Sequence, residues 1–237
     1  MATREERENR DDLLSVPWND VVRFVRQLSH DLRNQLNAAE LQSAYVEELA
    51  ADAELKSEVK RLRGLTSELS KTLQKLSADL GHAKPTLIPY PAQDFVEDLR
   101  KKIEKDFPKE SGSMQWDIQL GGATIDIDPQ LVLQIFTELF ANAIQHKRGT
   151  GVISVTARSD GDQFIFVLRE PKTGFDLPTE NWGREPLKSV GHGHYGLGLN
   201  RARVIVEAHN GGFSAEYDSS TATLVTTVTL PLSPQSK

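Results

Sequence analysis

A histidine, a carboxylate and an amide lie close together near the N-terminus, in the segment SHDLRNQL. His30 lies two residues after Leu28 and two before Leu32, so on a helix it points away from the apolar stripe, toward solvent. A carboxylate beside an imidazole can hold one ring N–H and leave the other nitrogen free as a nucleophile. With Asp31 next to it, His30 is a candidate phosphate acceptor. By itself, the segment fits a solvated helical histidine better.

A second polar group lies in the segment ELFANAIQH. Glu138 and Asn142 are four residues apart and share one helix face, and His146 and Lys147 follow at the helix end. An amide oxygen suits Mg²⁺ carrying a triphosphate, and a basic helix end suits phosphate oxygens. A polar residue that packs between helices explains Asn142 equally well without further context.

Glycines recur in the segment GHGHYGLGL, at Gly191, Gly193, Gly196 and Gly198, in a loop that runs directly into a predicted helix. Glycine lets backbone N–H groups approach phosphate oxygens, and a helix N-terminus adds partial positive charge. The segment therefore predicts an anion site, although it lacks the order of a Walker P-loop or a dinucleotide fingerprint. A flexible loop explains it equally well by itself.

The histidines His146, His192 and His194 do not predict a metal cluster. Two histidines at positions i and i+2 of a loop, without a nearby carboxylate pattern, are more often incidental.

Two long helices must position His30. Apolar residues recur at helical spacing over residues 17–49, and a leucine stripe with steps of three or four runs over residues 53–80. Gly64 beside Leu65 predicts a local irregularity in the second helix. At roughly 40 Å, two such helices cannot bury both stripes within one hairpin. We therefore predict an antiparallel hairpin that pairs with a second copy as a dimeric four-helix bundle.

A proline-rich stretch after Gly81 marks a domain boundary, beyond which the pattern becomes mixed α/β. Helices are predicted near residues 92–107, 128–147 and 196–208, the second with Asp128 as its cap and Pro129 as its first residue. Strands are predicted near 114–120, 124–127, 151–158, 163–169, 213–217 and 221–230. The predicted organisation is an α+β chain with a charged extension (1–16), a helical hairpin (17–81), a linker and first strand (82–91), an α/β domain (92–232) and a tail (233–237).

Composition restricts the function classes. The 237 residues carry a formal charge of -6 and no cysteine, which argues against general attraction to nucleic acid and excludes a thiolate metal site. The charged N-terminus and short apolar runs predict neither a secretory signal nor membrane insertion. A cytoplasmic protein without a nucleic-acid partner is expected.

In order and spacing, these motifs resemble the two-component histidine kinases. The phosphoacceptor box of that family is matched by Ser29, His30, Asp31, Arg33 and Asn34, with Gln35 in place of a proline. The asparagine box is matched by ELFANAIQH, and the second glycine box by GLGL with the following VIVEAHNGG.

The resemblance implies a dimeric phosphotransfer hairpin joined to a Bergerat-type ATP-binding domain, an α/β sandwich with a lid over residues 175–195. It makes His30 the phosphorylated nucleophile, Asp31 its general base and Asn34 a residue that positions water. Asn142 would hold Mg²⁺, ATP would donate the phosphate, and an aspartate of a response-regulator receiver domain would accept it. The implied nucleotide contacts are Asn142, His146, Lys147, Glu170, Gly174, Gly191, Gly193, Gly196, Leu197 and Gly198.

The box that holds the adenine amino group departs from the family pattern of aspartate-x-glycine-x-glycine. Here it reads Glu170, Pro171, Lys172, Thr173, Gly174. Glutamate keeps the acceptor on a longer side chain, and Lys172 removes a glycine that permits close backbone approach. We expect altered adenine binding. Glu138 resembles the water-activating base of related Bergerat ATPases, which extends the implied chemistry to ATP hydrolysis.

Three functions stay open at this point. The chain is a kinase that phosphorylates His30 from ATP, or a dimeric phosphotransfer protein with a degenerate ATPase-like domain that relays phosphate between receivers, or an ATPase switch with His30 incidental. With sixteen residues before Pro17, the input is expected from a separate sensor protein, from occupancy of the dimer or from an upstream phosphodonor.

Overall fold

The structure is a computed structural model that describes residues 18–80, 84–175, 179, 182–184 and 197–234. The chain divides into two compact units between Gly81 and His82. The first unit is helical and the second combines helices with a sheet. Of the helices in the described ranges, none has both the length and the apolar character needed to cross a bilayer.

The helical unit is an antiparallel hairpin of α1 (Trp18–Leu49) and α2 (Ala53–Asp79). Asp52 ends the short connection and caps α2, because its side chain accepts the Glu54 backbone N–H at 3.0 Å. Between the helices, the Arg63 guanidinium contacts Glu40 at 2.8 Å and also pairs with Glu47. A polar clamp therefore joins the two helices near the middle of α2.

Helix α2 runs without interruption through Gly64, so the predicted irregularity is wrong. The low helix propensity of glycine is outweighed by its neighbourhood, since Arg63 is held by two glutamates of α1.

Gly64→Ala is expected to raise the free energy of unfolding of the helical unit by about 0.5–1 kcal/mol, because alanine loses less backbone entropy in a helix. A Cβ at Gly64 would meet no atom within 4 Å. The measurement is denaturant unfolding followed by circular dichroism. Gly161→Ala is the matched control: it also has space, but its φ of +60° should make alanine destabilising. A less stable Gly64→Ala variant would contradict the prediction.

Within the described residues, the second unit contains a five-stranded sheet of β2 (Gln115–Gln119), β4 (Ser154–Asp160), β5 (Gln163–Pro171), β6 (Gly212–Asp218) and β7 (Thr223–Pro231). The strands lie in the order β2-β4-β5-β7-β6. β2 pairs with β4 in parallel, and the other neighbours are antiparallel. A separate antiparallel pair joins β1 (Ile88–Pro91) and β3 (Thr124–Ile127). The helices are α3 (Ala92–Asp106), α4 (Pro108–Ser111), α5 (Pro129–Gln145) and α6 (Gly198–Ala208).

The core lies between the sheet and the helices α3, α5 and α6. Alternate residues of β5 are buried, as expected for a strand with one face on a core. On that face the ring of Phe166 meets Phe136 of α5 edge-on, with ring centroids 4.5 Å apart, and Phe136 meets Phe95 of α3 at 5.4 Å. The predicted fold class, a helical hairpin followed by an α/β sandwich, is confirmed.

The start of α5 was predicted to the residue. Asp128 caps the helix by accepting the Leu131 backbone N–H at 3.1 Å, and Pro129 is the first helical residue. The strand predicted over 151–158 instead begins at Ser154, because residues before it pack against the end of β5: a Cβ on Gly151 would lie 2.6 Å from Pro171 Cγ.

The buried His209 joins the start of α5 to the end of α6. Its Nδ1 lies 2.7 Å from the carbonyl oxygen of Ile205, and the Asp128 backbone N–H donates to its Nε2 at 3.0 Å. Because Nε2 accepts, the proton lies on Nδ1 and the ring is neutral. Both ring nitrogens are used, which fixes α5 against α6.

Candidate functional site

His30 faces solvent on α1, with its side chain 64% exposed. Its Nδ1 lies 3.2 Å from Asp31 Oδ1, and Gln27 Nε2 donates to the same oxygen at 2.9 Å. With Nδ1–H directed at Asp31, the lone pair of the other ring nitrogen, Nε2, is the nucleophile. The group therefore has the chemistry of a phosphate acceptor.

The hydrogen bond from His30, followed by that from Gln27, lowers the pKa of Asp31. Hydrogen bonds to the ionised carboxylate favour that form. Asp31 is thus charged wherever His30 is an uncharged nucleophile, and it can stabilise positive charge on the ring.

The two remaining polar residues of this box lie differently. Asn34 Nδ2 is 3.5 Å from His30 Nδ1, at the limit of a hydrogen bond. Arg33 is half-buried, and no hydrogen bond or ion pair joins it to another described residue through its buried Nε. The structure therefore brings Asp31 and Asn34 to His30 but not Arg33. Ser29, on the other side of the histidine, is 1% exposed and belongs to the hairpin interior.

In the second unit, one face of α5 lies along the start of α6. Gln134, Glu138 and Asn142 are spaced by four residues along it. The Gln134 side-chain oxygen accepts from Arg201 of α6 at 3.1 Å. A Cβ on Gly198 would lie 2.6 Å from Glu138 Oε1, so the Glu138 carboxylate rests against the first residue of α6.

This contact places a carboxylate at the predicted anion site. A helix N-terminus favours negative charge, and Glu138 supplies it from within the chain. Asn142 is half-buried one turn further along α5, and its carboxamide makes no hydrogen bond to another described residue. Its oxygen is thus available to a hard cation.

Gly198→Ala is expected to lower the free energy of unfolding by about 1 kcal/mol, because the added methyl group displaces the Glu138 side chain. In a Glu138→Ala background the same substitution should cost nothing or be stabilising, since alanine is the better helix former. Denaturant unfolding of the four proteins in this cycle gives the coupling. An equal loss of unfolding free energy in both backgrounds would show that the contact with Glu138 is not the reason why alanine is unfavourable at position 198.

Other glycines of the predicted phosphate loop, Gly191, Gly193 and Gly196, lie outside the described residues, as does most of the predicted lid. Leu197 is 3% exposed and packs into the protein. Gly174 differs from these: a Cβ there would meet no atom within 4 Å, so packing among the described residues does not require glycine.

Glu170 and Lys172 form a buried ion pair at the end of β5. Glu170 lies on the inward face that carries Phe164, Phe166 and Leu168, and Lys172 follows two residues later on the same side. Lys172 Nζ lies 2.5 Å from Glu170 Oε2, and the side chains are 5% and 6% exposed. Burial raises the pKa of Glu170, and the Lys172 charge opposes this effect.

Lys172 Nζ also donates to the backbone carbonyl of His146 at 2.8 Å. His146 caps the C-terminus of α5, where a cation is favourable. Lys147 follows in the left-handed region (φ 45°), and its carbonyl accepts the Thr173 backbone N–H at 2.9 Å. One ammonium therefore joins the predicted adenine acceptor to the helix that carries Asn142.

Part of the predicted lid is anchored on α6 by residues that the sequence analysis missed. Arg203, 9% exposed, donates to the carbonyl of Trp182 at 2.6 and 2.8 Å and to that of Phe213 at 2.7 Å. Asn200 Nδ2 donates to the carbonyl of Gly183 at 3.0 Å. The available signal was a cation inside the apolar run of a helix, a pattern that demands buried partners.

Comparison with known proteins shows which families the chain is similar to. A family model described as histidine kinase-, DNA gyrase B- and HSP90-like ATPase matches residues 127–234. The adaptive-response sensory kinase SasA of Trichormus variabilis is 28% identical over 213 residues, covering 80% of this chain and 52% of the relative. The alginate biosynthesis sensor protein KinB of Pseudomonas aeruginosa is 23% identical over 199 residues, covering 79% and 33%. The chain thus spans about half or less of the length of these curated relatives.

Solved structures show the same fold. Full-length ShkA in complex with AMPPNP matches with a TM-score of 0.68 at 19% identity, over 91% of this chain and 47% of that one. The histidine kinase ThkA in complex with the response regulator TrrA matches with a TM-score of 0.55 at 17% identity, over 98% and 67%.

Fold and family match together indicate the class: residues 127–234 of the second unit are similar to the ATPase domains of histidine kinases, DNA gyrase B and HSP90. The chain is also similar to two-component sensor histidine kinases, as the motif resemblance predicted.

Proposed function

We propose that this chain is a histidine kinase that transfers phosphate from ATP to His30 and then to an aspartate of a response regulator. The observation that carries the proposal is the geometry at His30: an exposed imidazole whose Nδ1 is held by Asp31 at 3.2 Å. His30 Nε2 attacks the terminal phosphorus, the bond to the leaving ADP oxygen breaks, and a P–N bond forms. Asp31 stabilises the charge that develops on the ring.

The phosphate end of a nucleotide site fits the residues present. Asn142 would hold Mg²⁺, which neutralises phosphate charge when bound. The start of α6 would orient the phosphates once the Glu138 carboxylate moves away from Gly198. The base end fits less well, because Glu170 Oε2 already faces the Lys172 ammonium.

We also propose that the hairpin is a homodimer. It leaves apolar side chains exposed on both helices, which a second copy would cover in a four-helix bundle. These side chains are Leu41 (74% exposed), Tyr45 (57%), Leu49 (65%), Leu62 (52%), Leu65 (54%) and Leu69 (56%).

The partner is proposed to be a receiver domain, supported by the response regulator bound to ThkA. A cytoplasmic location suits this partner. Input from a separate sensor protein or an upstream phosphodonor belongs to the same proposal.

Labelling with γ-³²P-ATP tests the kinase. Wild type should acquire a label that is labile in acid and stable in base, as expected for a phosphorus–nitrogen bond, and His30→Ala should acquire none. Gln42→Ala, an exposed residue of the same helix, is the control and should label like wild type. Equal labelling of His30→Ala and wild type would contradict the proposal.

The buried Glu170–Lys172 pair favours a second function, a dimeric phosphotransfer protein that relays phosphate between receiver domains. In that case ATP leaves no label, while a phosphorylated receiver labels wild type and fails to label His30→Ala. The same two variants therefore separate the two functions by the phosphate donor alone.

A further inference from the structure

The Lys172 ammonium lies at the predicted acceptor of the base site, Glu170. It contacts two acceptors, Glu170 Oε2 at 2.5 Å and the His146 carbonyl at 2.8 Å. An exocyclic amino group of a nucleobase needs an acceptor of this kind. The lysine thus makes the contacts that an incoming amino group would otherwise make.

The backbone of Lys172 is fixed, so the lysine cannot swing aside with its strand. Its N–H donates to the carbonyl of Ala222 at 2.8 Å, and it forms an isolated bridge with Arg148. A Cβ on Gly149 would lie 3.1 Å from the Lys172 backbone, so the loop after α5 packs directly on it. Displacing only the ammonium would leave a buried carboxylate unpaired, which is costly.

At the phosphate end, no hydrogen bond or ion pair among the described residues joins the Asn142 side chain to Glu170 or Lys172. Asn142 carries an amide oxygen suited to Mg²⁺, the ion that would accompany the phosphates. Binding through the phosphates and binding through the base are therefore separable.

We infer that Lys172 is a specificity-determining residue that makes this site indifferent to the nucleobase, so that it recognises the polyphosphate of a nucleoside triphosphate and not adenine. The inference rests on the proposed nucleotide site. It predicts that removal of the lysine side chain creates adenine preference, because Glu170 then becomes a free acceptor.

Isothermal titration calorimetry of the full chain with Mg-ATP and Mg-GTP tests this inference. The dissociation constants of wild type for the two nucleotides should differ by less than ten-fold. Lys172→Gly should bind ATP at least ten-fold more tightly than GTP. Glu170→Leu combined with Lys172→Gly should lose the preference, since the acceptor is gone, and Lys172→Arg should behave as wild type, since the cation remains.

A wild type that prefers either nucleotide by more than ten-fold overturns the inference. So does a Lys172→Gly protein without adenine preference, or the failure of both nucleotides to bind any of the proteins. Lys172→Ala, which restricts the backbone more than glycine, provides a second variant should Lys172→Gly unfold. His30 labelling from a phosphorylated receiver is independent of these titrations, so phosphotransfer can stand when base indifference fails.

Discussion

Asp31→Asn is expected to slow phosphoryl transfer to His30 by about 100-fold or more, the scale on which a positioned acid–base group contributes. Asparagine keeps the shape of the side chain and an acceptor for the His30 ring N–H. It removes the charge that stabilises the ring as the P–N bond forms. Single-turnover labelling from whichever donor labels wild type, ATP or a phosphorylated receiver, measures the rate.

The matched control for this variant is Asp20→Asn. Asp20 is an exposed carboxylate of the same helix, paired with Arg23 at 3.1 Å and away from His30. Its replacement changes the net charge equally and should leave the rate within two-fold of wild type. A comparable loss in both variants would assign the effect to overall charge and not to the contact with His30.

Local chemistry explains which parts of the fold could be predicted. The start of α5 depends on a cap and a proline that are adjacent in sequence, so Asp128 and Pro129 fix it by themselves. The exposure of His30 depends only on its spacing from Leu28 and Leu32. In both cases the residues that determine the feature lie within one or two helical turns of it.

The missed features depend on partners distant in sequence. Arg203 can be buried because its guanidinium donates to the carbonyls of Trp182 and Phe213. Neither of these partners belongs to the helix that carries Arg203, so the sequence of that helix does not predict them. A strand predicted to end at residue 169 leaves Glu170 and Lys172 in a loop, whereas the strand in the structure runs to Pro171. A longer strand would have placed Glu170 and Lys172 on one face.

The Glu170–Lys172 pair should show strong coupling in a double-mutant cycle. Lys172→Met is expected to cost about 3 kcal/mol, because it leaves a buried carboxylate without its cation. Glu170→Leu should cost a similar amount by leaving the ammonium with only the His146 carbonyl. The double variant replaces both charges with apolar groups and should be within about 1 kcal/mol of wild type. Additive costs in denaturant unfolding would show that the pair does not act as a unit.

The pH dependence of stability gives this cycle an independent readout. Burial raises the pKa of Glu170 above its ordinary value of 4.5, so Glu170 binds a proton more readily in the folded protein than in the unfolded chain. The stability that Glu170 contributes is therefore full below its unfolded pKa and is lost as pH rises toward its folded pKa. Lys172→Met removes the opposing cation, so the loss should extend to higher pH than in wild type. In the double variant this component should be absent, because residue 170 no longer titrates.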